Sequence, residues 1–281
     1  MQSMTSDSKL VRLLRRPYAD IRSAVKWQIL NLVRTSIYKI LFNVRMWDPK
    51  GIAPYFTAYY PDSSGSLPDV KNLYRRWVRG NKLNNNGDAA RFIALMLNLR
   101  QLREEGIEGD FAELGVWKGN SAATLAHFAE QSKRRLFLFD TFSGFDARNL
   151  VGIDNQKKLN FADTSIDYVR DTVGHEAITT YVKGFFPESV TSEIESRQFA
   201  LAHIDCDLYG PMKAALEFFY PRMPKGGMLI LHDYSSGVWE GAKLAIDEFC
   251  KESGEHLALW PDKSGTAMIR KSQSLLPSGP G

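Results

Sequence analysis

Cysteine is almost missing from this chain of 281 residues: Cys206 and Cys250 are the only two, far apart in sequence. That spacing fits neither a C-x-x-C metal pattern nor a disulfide framework, so metal binding through thiolate is not expected and a reducing cytoplasm is. Long apolar runs are missing as well. Lys26, Arg34, Lys39 and Arg45 interrupt the best candidate, which falls short of the roughly 18 apolar residues that span a bilayer. The first residues lack the apolar run and small-residue cleavage site of a signal peptide, so no leader is expected. Nor is there an internal repeat, or a G-x-G-x-x-G fingerprint of the kind that cradles a dinucleotide.

Acidic residues are scarce at one end only. Residues 1–50 hold ten Lys/Arg against three Asp (Asp7, Asp20, Asp48), whereas the whole chain carries a net charge of only +4. The remainder is therefore acidic by three. A nucleic-acid reader would carry its basic residues on the folded body, so no nucleic-acid partner is expected. Within the basic segment Ile21, Val25, Ile29, Leu32, Val33, Ile37, Ile40, Leu41 and Val44 recur at helical spacing, which predicts a basic amphipathic helical extension over residues 1–50. Such a helix suits peripheral membrane contact, and equally packing in an oligomer or over the active site.

Residues 51–108 read as a linker or lid rich in Pro, Gly, Tyr and Ser, followed by helices near Val70–Arg79 and Asp88–Glu105. After Gly109 the runs GDFAELG, RLFLFD, ITTYVKG, FALAHIDCD, GGMLILHDY, HLALW and TAMIRK read as strands. Helical patterns at Ser121–Gln131, Ser165–Val173, Met212–Phe219 and Trp239–Lys251 lie between them. Alternation at this spacing predicts an α/β fold, a doubly wound, seven-stranded, mostly parallel sheet over residues 109–272, with a flexible tail at 273–281. The last two strands, joined by PDKSG, read as a hairpin that adds an antiparallel strand at the edge.

Three motifs carry chemistry. Glu113-Leu-Gly115-Val-Trp-Lys-Gly119-Asn-Ser121 is E-x-G-x-x-x-G at a strand-to-helix turn, the spacing usual for the methionine part of S-adenosylmethionine. Glycine turns also occur there for packing alone. The next strand ends in Asp140, where a carboxylate can accept ribose hydroxyls or merely cap a helix. The fourth and fifth strands end in His203-Ile-Asp205-Cys-Asp207 and His232-Asp233-Tyr234. Strand alternation predicts His203, Asp205 and Asp207 on one side and Cys206 on the other. Converging carboxylates call for a shared cation or proton, and oxygen ligands with one imidazole suit Mg²⁺ or Mn²⁺ better than zinc. Taken singly, Asp205 reads equally as a loop cap and His203 as a core histidine.

The segments GIEGDFAELGVWKGNSAATLAHFA, LFDTFSGF, VKGFFPES, AHIDCDLYGPMKAALEFFYPRMPKGGMLILHDYSS and GAKLAIDEF resemble the TylF-type macrocin O-methyltransferases, from about Asn84 to Arg270. The resemblance implies a class I, Rossmann-like methyltransferase that uses S-adenosylmethionine and a divalent metal to methylate sugar hydroxyls, and that assembles as a homo-oligomer. It implies that Glu113, Gly115, Gly119 and Ser121 hold the methionine end of the cofactor and Asp140 the ribose. Thr141, Phe142 and the Lys183-Gly184-Phe185 loop would lie near the adenosine. Asp205 would touch cofactor and metal, Asp233 would be a second ligand, and Asp207 the general base.

Two positions depart from the family. His232 stands where D-D-Y is usual, which bears on the metal, and Trp117-Lys118-Gly119-Asn120 replaces W-R-G-G. In the expected mechanism His232 completes the metal site, the metal lowers the hydroxyl's pKa, and Asp207 takes the proton; without a metal, Asp207 or His203 is the stand-alone base. Gly144–Phe161 and Pro61–Pro68 are candidate lids. The rival readings are a nucleotide-dependent oxidoreductase and a non-catalytic member of the fold.

Overall fold

The computed structural model describes residues 67–80, 88–158 and 160–272. The basic helix, most of the linker with the Pro61–Ser66 part of the candidate lid, and the tail lie outside the described residues.

Two helices lead in, α1 (Leu67–Gly80) and α2 (Ala89–Glu104). Asp88 caps α2 by accepting from the Arg91 amide at 3.3 Å. Phe92, Leu95, Met96, Leu99 and Leu102 form the buried face of α2, and Tyr74 and Trp77 of α1 pack on Phe92.

The strands then alternate with helices as the spacing predicts: β1 (Asp110–Leu114), α3 (Asn120–Gln131), β2 (Leu136–Asp140), α4 (Ile166–Val173), β3 (Thr179–Lys183), a short α5 (Ser192–Glu195), β4 (Phe199–Ile204), α6 (Tyr209–Phe219), β5 (Met228–Leu231), α7 (Glu240–Ser253), β6 (Ala258–Leu259) and β7 (Ala267–Arg270). Strands β1, β2, β4 and β5 are almost wholly buried, which is why they read as continuous apolar runs rather than alternating ones. The sheet order is β3-β2-β1-β4-β5-β7-β6. Both hairpin strands join the sheet, but β7 pairs antiparallel to β5 and β6 forms the edge. Burial decides that order, since Ala267 and Ile269 of β7 are covered while Ala258 and Leu259 of β6 are exposed. No helix among the described residues is long and apolar enough to cross a membrane.

The chain winds outward from β1 to β2 and β3, then returns to β4 on the other side of β1. At such a reversal the connections diverge and leave a crevice at the carboxyl ends of the strands. Those ends are level. Leu114 pairs with Ile204 and Phe139, and Ile204 with Leu231. The ladder runs one residue further through Gly115 N–H to Phe139 O (3.0 Å), Asp205 N–H to Leu114 O (2.8 Å) and His232 N–H to Ile204 O (3.0 Å). Asp140, Gly115, Asp205 and His232 therefore emerge side by side.

Candidate active site

The crevice is a cavity of about 390 Å³. Gly115, Ser121, Asp140, Thr141, Gly184, His203, Asp205, Asp207, His232 and Asp233 line it, while Glu113, Gly119, Phe142 and Lys183 stand behind the wall.

At the β1 end, Gly115 has φ +85°, and a Cβ there would sit 2.0 Å from the Asp205 carbonyl oxygen. Only glycine lets the turn pass so close to the end of β4. Gly119, at φ +78°, begins α3 without a side-chain cap, which leaves amides at the helix N-terminus for a ligand. Glu113 is fully buried; one oxygen accepts from Ser121 Oγ and from His203 Nδ1 (2.8 Å), and Oε2 has no partner. Burial pushes its carboxyl above the usual range despite the pull of His203. An orphaned buried acceptor beside uncapped amides fits the polar methionine end of S-adenosylmethionine. Asp140 accepts from the amides of Val116 (2.7 Å) and Trp117 (2.9 Å) with Oδ2 and of Phe142 (2.7 Å) with Oδ1. It thus ties the turns after β1 and β2 together while lining the cavity.

At the β4 and β5 ends the strand stops at Ile204, so alternation does not carry through the acids: Asp205, Cys206 and Asp207 all line the cavity. The chain turns sharply there, with Asp207 at φ +64° and Asp233 at φ +60°. Among the described residues, four of the seven non-glycine positions with left-handed backbone (Trp117, Phe161, Asp207 and Asp233) line this cavity, a concentration typical of functional sites. Burial, then the charges of Asp205 and Asp233, push the Asp207 carboxyl well above the usual range. Burial, then the charges of Asp207 and Asp205, push the Cys206 thiol up, so it is no thiolate.

Asp205, His232 and Asp233 bring one ligand atom each within 4.8 Å of one another. His232 Nδ1 lies 2.8 Å from Asp205 Oδ1 and 2.6 Å from Asp233 Oδ2, while its Nε2 meets Arg91 Nη1. Partial burial would raise the Asp205 carboxyl, but His232 outweighs this and holds it at about 2. Burial disfavours protonated His232, and the two carboxylates overcome that and raise it to about 10. The Arg91 contact argues for the neutral ring, because a guanidinium only donates and Nε2 must then accept. Both states put a proton on Nδ1. The ring therefore presents an N–H, not a lone pair, to the space a divalent cation would share with Asp205 and Asp233, and the three-ligand metal centre does not fit these residues as arranged.

Sequence reasoning missed Arg91. It sits on α2, is 8% exposed, lies 3.8 Å from Asp88 through Nε, and stacks 4.7 Å over Trp77. Its one sequence signal is a cation on the apolar face of a helix. Also missed was an aromatic wall in which Phe145 meets Phe161 at 5.2 Å and Trp239 at 5.7 Å, and Trp117 meets Phe161 at 5.4 Å. The candidate lid Gly144–Phe161 supplies two of these rings. It is clamped: buried Asp154 accepts from the Tyr209 amide at 2.7 Å at the start of α6 and abuts Gly241 at the start of α7.

Seven strands in this order, a glycine turn after the first and an acid after the second define the Rossmann-like fold of the class I methyltransferases. The crystal structure of calicheamicin methyltransferase shares the fold, with a TM-score of 0.56 and 22% identity over 74% of this chain and 93% of that one. Residues 87–260 match the macrocin-O-methyltransferase (TylF) family, and the chain belongs to it. Two curated relatives are the 8-demethyl-8-(2,3-dimethoxy-alpha-L-rhamnosyl)-tetracenomycin-C 4'-O-methyltransferase of Streptomyces olivaceus, 27% identical over 47% of this chain and 55% of that protein, and the mycinamicin III 3''-O-methyltransferase of Micromonospora griseorubida, 26% identical over 46% and 57%. The chain thus spans little more than half the length of these two relatives.

Proposed function

We propose that this chain transfers a methyl group from S-adenosylmethionine to a hydroxyl of a sugar-like acceptor, with Asp207 taking the hydroxyl proton. One observation carries the reading: a single cavity joins the Glu113-to-Ser121 turn and Asp140 to the acids at the ends of β4 and β5. The cofactor supplies an electrophilic methyl group on a sulfonium sulfur. Ser121 and the α3 amides hold its methionine end, with Glu113 fixing Ser121 from behind the cavity wall, and Asp140 accepts from the ribose. Asp207, with its raised proton affinity, is a stronger base than an ordinary aspartate. His203, braced by Glu113, is the alternative proton acceptor. The aromatic wall with Trp239 suits the C–H face of a pyranose, whose hydroxyl edge then meets the acids. The Streptomyces olivaceus relative is named for methylating a rhamnosyl compound, which supports the same acceptor class. The catalytic unit begins before Gly109, because Trp77 and Arg91 line the cavity.

S-adenosylhomocysteine should raise the melting temperature of the full chain, and labelled methyl should pass from S-adenosylmethionine to members of a panel of glycosides and nucleotide sugars. Stabilisation by NAD and not by S-adenosylhomocysteine would sink the proposal.

A further inference from the structure

His232 and Arg91 are the two cavity residues that set this centre apart from an acid-rich metal site. Arg91 is held from several directions: by Asp88 at 3.8 Å, by the Trp77 ring at 4.7 Å and by Ser264 Oγ at 3.4 Å. Its guanidinium is thereby fixed against His232 Nε2. The opposite edge of the imidazole sits between Asp205 and Asp233, at 2.8 and 2.6 Å. One N–H thus reaches both carboxylates that would otherwise need a cation between them, and a permanent positive charge lies directly behind the ring. A metal ligand needs the opposite arrangement, with the lone pair forward and an acceptor behind to take the other N–H. No acceptor can be made from a guanidinium.

We propose that Arg91 and His232 together occupy the place of a divalent cation in this chain, so that its methyl transfer needs no bound metal. The proposal rests on reading the cavity as a methyl-transfer site. The reaction balances without a metal. The hydroxyl oxygen forms its bond to the methyl carbon, the carbon–sulfur bond breaks with its electron pair left on sulfur, and the hydroxyl proton goes to Asp207. Asp205 and Asp233 stay paired through the His232 N–H throughout and accept from neighbouring hydroxyls of the acceptor, which holds the reacting oxygen in line.

The test uses Mn²⁺ alone as the probe, on full-length protein dialysed against EDTA and shown metal-free by elemental analysis. Binding is followed by electron paramagnetic resonance and calorimetry. In the wild type Mn²⁺ should bind at least about a hundredfold more weakly than in His232→Asp, which restores a carboxylate where the imidazole stands. Nitrogen NMR should show a proton on Nδ1 of His232 that added Mn²⁺ leaves in place. Arg91→Leu frees Nε2 to carry the proton and should bring Mn²⁺ affinity between the two. An S-adenosylhomocysteine-induced rise in melting temperature, retained in each variant, shows that the fold and cofactor site survive. Equal Mn²⁺ affinity in wild type and His232→Asp, whether tight or weak, overturns the proposal, as does a one-per-chain wild-type site that Asp205→Asn abolishes. Failure of wild type to respond to S-adenosylhomocysteine would instead overturn the methyltransferase reading.

Discussion

The two ends of the cavity are built by different means. The end proposed for the cofactor is made of main chain: a glycine that no other residue can replace, uncapped helix amides, and Asp140 binding three amides within one pair of turns. The acid end is made of side chains brought together from α2, β4 and β5, with Arg91 and His232 separated by 141 positions. A main-chain site tolerates change in its side chains and almost none in its backbone. A side-chain site does the reverse, and substitutions test that contrast.

The largest effect should come at the acid end. Asp207→Asn removes the proposed proton acceptor and should slow methyl transfer by about 10² to 10⁴-fold, the range typical of a positioned general base. Binding of S-adenosylhomocysteine, measured by calorimetry, should stay within error of the wild type; a comparable loss there would place Asp207 at the cofactor end instead. Next comes the backbone. Gly115→Ala drives a Cβ into the Asp205 carbonyl at a left-handed φ, and should cost about 3 kcal/mol or more in urea unfolding while abolishing cofactor binding. Wild-type stability in that variant would show that the turn can move.

Asp140→Ala strands the amides of Val116, Trp117 and Phe142, an expected loss of about 2 to 3 kcal/mol in the same unfolding measurement. The thermal response to S-adenosylhomocysteine should nearly vanish, because ribose contact and turn geometry fail together. The smallest effect should be at the rim, where Lys157 pairs with an exposed Glu240 at 2.8 Å. Glu240→Gln should leave the unfolding midpoint within error of the wild type, and any small difference should disappear in high salt.

The same contrast governs what the sequence discloses. The glycine turn, Asp140 and the alternation of strands with helices follow from local pattern, since E-x-G-x-x-x-G and the buried runs LFLFD and FALAHI each need only a few neighbouring residues. Helix starts are legible for a related reason: Asp88 and Ser165 cap α2 and α4 with their own side chains. Helix α6 begins at Tyr209, ahead of the expected Met212, because Pro211 falls in a first turn that needs no amide from it. The acids of β4 and β5 were visible as residues but not as geometry. Alternation fails where the strand ends at Ile204, and Asp207 adopts a left-handed turn that no pattern marks. Arg91 and the aromatic wall were hidden because their partners lie on separate segments and meet only through tertiary packing.

Asp154 changes what the loop from Gly144 to Phe161 can do. Its carboxylate is shut between the first turns of two helices, with Oδ1 buried and unpartnered, and Gly241 has room for it only because it lacks a side chain. Swinging the loop outward would strip the Tyr209 amide of its acceptor and pull Phe145 and Phe161 away from Trp239 at once. The segment therefore behaves as masonry rather than as a door. A ligand that enters or leaves the cavity passes a wall that stays in place.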